Sequence, residues 1–156
     1  MAEKGVFLTP TLTTYDAMAL REFAGFLPPG NAEKNLLVLD EGIKSIQRAD
    51  EAGVTMLYGS DLLGSLQSRQ TREFVLRQQV LSPLRVLQSA TINGARRLGQ
   101  EKLGRIAEGY IADILILSAN PLEDVGIFDQ SEEYLGAVIK EGRVMMSRIG
   151  SLAVEV

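Results

Sequence analysis

The sequence predicts an α/β fold with parallel strands, followed by a smaller strand-rich piece. Two apolar runs, GVFLTPTL (Gly5–Leu12) and VTMLY (Val54–Tyr58), read as buried strands, and a long helical pattern separates them. Helical patterns also follow the second run, so the order is strand, helix, strand, helix, which is how parallel sheets are built. At Gly99 the character changes: short strand-like runs punctuated by glycine and Asn-Pro replace the helical spacing. With 156 residues the chain can bury a sizeable core.

Gly5–Leu12 is a short buried strand ending in a polar turn. A helix begins near Tyr15-Asp16 and carries Ala17, Met18, Leu20 and Phe23 toward a core. Pro28, Pro29 and Gly30 then force a loop. From Ala32 to Ala52 the apolar positions Leu36, Leu39, Ile43, Ile46 and Ala49 recur at helical spacing, with Gly42 as a weak point inside the pattern. Gly53 stops that helix and the second strand follows. Thr71–Val80 is the next helix, with Phe74, Val75 and Leu76 among its apolar positions. Another runs from Leu84 to Leu98, with Ser82 as cap and Pro83 in the first turn. In the tail, Leu103–Ile106, Ala112–Leu117, Ala137–Ile139 and Arg143–Met146 are strand-like. Lys140–Arg143 is a hairpin turn between the last two.

Composition narrows the function. Apolar residues make up 46% and charged residues 23%, an ordinary balance for a globular protein, and the formal charge is −4. An acidic chain whose closest basic clusters are Arg96-Arg97 and Arg69 with Arg72 is not built to bind a nucleic-acid backbone. The absence of cysteine excludes a disulfide scaffold, thiolate catalysis and thiolate metal sites, and it fits a reducing compartment such as the cytoplasm. No apolar stretch is long enough to span a membrane, and Thr9-Pro10 interrupts the N-terminal run too early for a signal peptide.

The stretch MLYGSDLLG, residues 56–64, holds the principal candidate site. In parallel α/β folds ligands sit at the carboxyl ends of strands, and Asp61 immediately follows one. Gly59 lets the backbone turn or approach another element, and Ser60 can orient a neighbour. A carboxylate there can ligate a metal or take a proton from an attacking water. The structural alternative is that Asp61 caps the next helical turn or opens a loop. Elsewhere, Asp40 and Glu41 belong to a solvent-facing helix surface, Asp113 to a turn or inter-strand hydrogen bond, and Glu123-Asp124 to a turn before a helical start. Asn93, Arg97 and Thr91 suit packing and hydrogen bonding, and Tyr58, Met56 and Leu57 suit core or pocket lining. Glycine patterns for phosphate or dinucleotide binding are absent.

Five stretches together resemble the C-terminal part of the amidohydrolase superfamily, nearest the imidazolonepropionase-like and prolidase-like metal-dependent hydrolases. They are GVFLTPTLTTYDAMA (5–19), AGVTMLYGSDLLG (52–64), SPLRVLQSATINGARRLG (82–99), LGRIAEGYIADILILSANPLEDV (103–125) and VIKEGRV (138–144). The resemblance implies a partial (β/α)8 barrel comprising the seventh and eighth strand units, followed by the C-terminal part of a small β-sandwich. It divides the chain into residues 1–98 of a barrel, 99–148 of the small domain and a tail at 149–156. Asp61 falls on the family's aspartate at the end of the eighth strand, which approaches a divalent metal, zinc or another, and accepts the proton of the attacking water. The implied reaction is hydrolysis of amide C–N bonds in peptides or cyclic amides.

The departure from the family is equally specific. The family's other metal ligands, a His-x-His pair on the first strand, a lysine or glutamate from the middle strands and histidines from the fifth and sixth, have no counterpart in a chain without histidine. One carboxylate does not make a metal site. MAEKGVFLTP resembles the helix end before the seventh strand, so the chain is expected to be the final third to two-fifths of a longer protein. Three readings follow: a hydrolase completed by a longer product or a complementary barrel-forming chain, a non-catalytic remnant or interaction module, and a metal-free activity that joins Asp61 to Tyr15, Ser60 or Arg69. On the first, Thr11, Tyr15 and the Asp61–Ser68 loop line one side of the substrate pocket. No cofactor is expected for the chain alone, and homo-oligomerisation through exposed apolar area is expected.

Overall fold

Leu8 and Met56 face each other across a single parallel bridge. The Leu8 N–H donates to the Thr55 carbonyl at 3.1 Å, and the Leu57 N–H donates to the Leu8 carbonyl at 2.8 Å. The computed structural model describes residues 1–154, so the last two residues of the expected tail lie outside it. The two predicted strands are therefore extended segments sharing one rung rather than regular strands. Pro10 has no N–H for a next rung, and its carbonyl accepts instead from Arg77 at 2.6 Å.

Between the segments runs a helical crossover, which parallel neighbours require. Helix α1 spans Thr13–Met18, starting earlier than expected, and a 3-10 turn over Arg21–Phe26 leads to α2, Ala32–Glu51. Helix α2 is unbroken at Gly42, and packing explains the glycine: a Cβ there would lie 2.4 Å from Cδ2 of Leu12. Leu36 does not join the core stripe and is 54% exposed. Asn35 takes the buried position in that turn, its Nδ2 donating to the Tyr15 carbonyl at 2.8 Å. At the helix end the Gly53 N–H donates to Asp50 O and the Val54 N–H to Ala49 O, with Gly53 at φ 69. That is a Schellman stop, and it delivers the chain into the second extended segment.

Helix α3, Arg72–Arg77, is shorter than the expected 71–80. Helix α4, Pro83–Ala90, starts as predicted, with Ser82 Oγ accepting from the Arg85 N–H at 3.4 Å and Pro83 in the first turn. The expected single helix 84–98 is two: α5, Ile92–Arg97, follows a break at Thr91, whose φ of −127 and ψ of −95 are not helical. Thr91 Oγ1 donates back to the Leu87 carbonyl at 2.7 Å, a local bond that competes with helix continuation.

Leu103–Ile106 is irregular rather than a strand. Gly104 stands at φ 82, where a Cβ would lie 2.9 Å from the Thr91 carbonyl, and Ile106 is 84% exposed. Strands β1 (Ile114–Leu117), β2 (Leu135–Lys140) and β3 (Arg143–Ser147) form an antiparallel, unclosed three-stranded sheet in that order. Leu115 pairs with Val138, and Val138 with Met146. The predicted hairpin turn is present, with Glu141 at φ 52 and Gly142 at φ 83. Between β1 and β2 lie a 3-10 turn over Val125–Gln130, capped by Asp124, and the short helix α6, Ser131–Tyr134.

The main core gathers Leu12, Ile46, Met56, Leu76, Leu81, Val86 and Val125, with Leu8, Phe74 and Phe128 packed on it. Phe74 stacks between Tyr58 and Phe128 at centroid distances of 4.4 and 4.5 Å. The whole is an α/β fold, incomplete as a barrel, whose two parallel segments end together on one side.

Candidate functional site

Asp61 lies just beyond those joined ends. Gly59 brings the second segment onto the first so closely that a Cβ there would lie 2.6 Å from the Thr9 methyl. Thr14, at the start of α1, donates its hydroxyl to the carbonyls of Ser60 at 2.8 Å and Asp61 at 3.2 Å. Asp61 itself is exposed and takes a left-handed φ of 51, uncommon for a residue other than glycine. Among the described residues its carboxylate has no hydrogen-bond or ion-pair partner. It caps nothing: the 3-10 turn over Gly64–Arg69 has Leu63 at its N-cap, without a side-chain cap bond.

Beneath the strand ends sits a buried ion pair that sequence reasoning missed. Glu73 and Arg77 on α3 are both fully buried. Arg77 donates Nε to Glu73 Oε1 at 2.8 Å, one terminal nitrogen to the Leu57 carbonyl at 2.8 Å and the other to the Pro10 carbonyl at 2.6 Å. It also reaches Ser89 Oγ at 3.2 Å. The second Glu73 oxygen accepts the Thr13 N–H at 2.8 Å. One guanidinium thus fastens both segments and the start of α1 together. Burial pushes the Glu73 carboxyl above its ordinary range, opposed by the Arg77 charge and the Thr13 amide. Tyr58, below the Arg77 guanidinium at 5.1 Å, is likewise pushed up, chiefly by burial, and its hydroxyl donates to the Gln70 carbonyl at 2.8 Å. The only sequence signal was the Glu–Arg spacing of four in REFVLR, which ordinarily marks a solvent-facing pair.

The remaining candidates do not converge on Asp61. Arg69 and Arg72 flank Asp16 at 3.9 and 3.4 Å, and Arg72 also reaches Asp129 at 3.9 Å. The Tyr15 and Ser60 carbonyls accept the bonds described above. Asp40 and Glu41 pair with Lys44 on an exposed face, as expected. Asp113 accepts from Lys140 Nζ and from the Glu141 N–H, the inter-strand role anticipated. Asn93 Nδ2 donates to the Met56 carbonyl at 3.0 Å, and Arg97 lies over the Phe7 ring at 6.0 Å. Cavities of about 270 Å³ beside Asp50, Arg85 and Arg96, and about 510 Å³ beside Arg96, Arg105 and Tyr110, do not include Asp61. Among the described residues no group of three or more His, Cys, Asp or Glu is placed to hold a metal ion. The residues present therefore do not fit a metal by themselves; Asp61 offers a single carboxylate.

Two parallel segments with an acidic residue past their ends define an α/β protein. A profile of the Amidohydrolase family matches residues 1–145, and the chain belongs to that family. It is similar to a solved amidohydrolase at 42% identity, with a TM-score of 0.86 over 95% of this chain and 36% of that one. A prolidase crystallised with N-methylphosphonate-L-proline is 39% identical, with a TM-score of 0.84 over 94% of this chain and 36% of the other. The ochratoxinase of Aspergillus niger is 29% identical over 132 residues, which are 83% of this chain and 27% of that protein. The chain thus spans about a third of the length of these relatives.

Proposed function

We propose that this chain is the Asp61-bearing portion of a metal-dependent hydrolase of amide C–N bonds, inactive as an isolated chain. Support comes chiefly from Asp61: an exposed carboxylate without a partner among the described residues, held in left-handed backbone where two parallel segments end. In this role Asp61 accepts a proton from the attacking water. A divalent metal beside Asp61 would need ligands beyond the single carboxylate that this chain offers. Residues 1–98 serve as the barrel portion and 99–148 as the small-domain portion, with Val125–Gln130 reaching back to α3. Similarity to a prolidase and an ochratoxinase supports peptide-like or related amide substrates. Among the described residues no helix is long and apolar enough to cross a membrane, and the lack of cysteine supports a cytoplasmic setting.

Metal content per chain, measured by elemental analysis beside an amide-hydrolysis screen, tests the proposal. The chain alone is expected to carry no stoichiometric divalent metal and to hydrolyse nothing. Combined with the part of the 42%-identical amidohydrolase that lies outside the matched region, it is expected to gain both metal and hydrolysis, the latter lost in Asp61→Asn. Stoichiometric metal and Asp61-dependent hydrolysis by the chain alone overturn the proposal. A second reading, a non-catalytic interaction module, is favoured by exposed apolar side chains such as Leu37 at 66% and Leu98 at 73%.

A further inference from the structure

The basic pair Arg96-Arg97 has no part in the proposed hydrolysis. It lies where the two extended segments begin, at the ends away from Asp61, and Arg96 lines three recesses there. One of about 270 Å³ adjoins Val54 and Thr55, one of about 440 Å³ adjoins Val6 and Phe7, and the largest, about 510 Å³, adjoins the 99–110 loop. The chain carries a net charge of −4, so an arginine-lined recess runs against its average.

Two arginines at this end are already engaged: Arg85 pairs with Asp50 at 2.8 Å, and Arg97 lies over the Phe7 ring. Arg96 and Arg105, which both line the largest recess, differ. Among the described residues neither guanidinium has a hydrogen bond or a carboxylate partner. An arginine in the last turn of a helix ordinarily serves the free carbonyls there. In α5 the backbone does so instead: the Gly99 N–H donates to Arg96 O at 3.2 Å and the Gln100 N–H to Ala95 O at 2.9 Å. The Arg96 side chain is spare.

The facing wall is preformed. Gly104 sits so close to the start of α5 that a Cβ would lie 3.0 Å from the Ile92 backbone, a fit open only to glycine. The Ile111 N–H donates to Lys102 O at 2.9 Å and closes the loop. Arg105 lies over the Tyr110 ring at 5.6 Å, which fixes the guanidinium plane and leaves its N–H donors free. Glu101 lines the same recess. Its carboxylate repels a bare anion but accepts a hydrogen bond from a hydroxyl.

We propose that the largest recess binds a small hydroxylated oxyanion, a phosphate monoester or a hydroxycarboxylate, with the oxyanion on Arg96 and Arg105 and the hydroxyl on Glu101. Guanidiniums match such oxyanions with paired N–H donors, and the volume is that of a small-molecule site. The site is separate from Asp61 and does not depend on the proposed hydrolysis.

Calorimetric titration of the chain at fixed ionic strength with glycerol 3-phosphate and with malate tests this and tells the two head groups apart. At least one is expected to bind one-to-one with a Kd of about 1 mM or tighter, more tightly than its hydroxyl-free analogue, propyl phosphate or succinate. Arginine side-chain NMR signals are expected to shift at Arg96 and Arg105 and to stay still at Arg69 and Arg72. Arg96→Gln and Arg105→Gln are each expected to weaken binding by about tenfold, and Glu101→Ala to abolish the preference for the hydroxyl. Exchange protection of the Ile111 amide reports that the loop is intact, and where Arg105→Gln opens it, Arg96→Gln decides alone. Absence of saturable binding by either anion, shifts confined to other arginines, undiminished affinity in Arg96→Gln, or no preference for the hydroxylated form overturns the inference.

Discussion

Asp61 and Arg77 are opposites in what holds them. Among the described residues Asp61 has no side-chain partner, and it sits in left-handed backbone, where asparagine and glycine are also at ease. Asp61→Asn and Asp61→Gly are therefore expected to unfold within about 0.5 kcal/mol of the parent in urea titrations; a large loss would show that the carboxylate is structural. The buried pair behaves otherwise. Removing either partner strands a charge, so Glu73→Gln and Arg77→Met are each expected to lose about 3–5 kcal/mol. Their pH dependence separates them. In Glu73→Gln the stranded guanidinium cannot lose its proton, so a change of pH brings this variant no relief. In Arg77→Met, Glu73 escapes by protonation because burial already raises its folded pKa. Stability of that variant is fullest below the unfolded carboxyl pKa and falls as pH rises through the raised folded value. Denaturation of both variants at pH 5 and pH 8 checks the contrast.

At the scale of elements, Gly42 shows packing overruling propensity. Alanine would favour helix α2 by about 1 kcal/mol, but its methyl would drive into Leu12, and overpacking a core costs about 1–3 kcal/mol. Gly42→Ala is expected to lower the melting temperature, and an increase would mean that Leu12 moves aside freely. The C-terminal hairpin is set by Asp113, whose pKa is lowered by Lys140 first and by the Glu141 amide second. Its contribution is present above the ordinary carboxylate range and disappears as pH falls through the depressed folded value. Asp113→Asn should abolish the part of acid destabilisation that appears below about pH 4. Much at this scale was legible. Ser82-Pro83 start α4, Gly53 stops α2, and Lys140–Arg143 turns the hairpin, because caps and turns depend on adjacent residues. The irregular 103–106 stretch was not, because the space at Gly104 is set by the Thr91 carbonyl of a distant segment, against which a Cβ would lie at 2.9 Å.

For the whole molecule, the expectation of exposed apolar area holds on helix α2, where Leu36, Leu37 and Val38 are 54%, 66% and 37% exposed. Exposed apolar side chains on one helix raise its liability to associate. By itself the chain is expected to bind a hydrophobic dye and to sediment as more than a monomer. A monodisperse monomer that binds no dye would show that this surface is tolerated in water.

What the sequence determined by itself is what neighbours along the chain decide: the α/β order, the limits of α2 and the start of α4, the hairpin, the lack of histidine and cysteine ligands, and an aspartate directly after a strand-like run. The tertiary structure alone decided which groups are buried. REFVLR reads as a surface ion pair, yet its glutamate and arginine lie in the core because the carbonyls of Pro10 and Leu57 and the amide of Thr13 converge there to satisfy them. Leu36 reads as core, yet Asn35 took its place to reach the Tyr15 carbonyl. Burial and hydrogen-bond satisfaction belong to whatever packs against a residue, and local spacing carries no record of that.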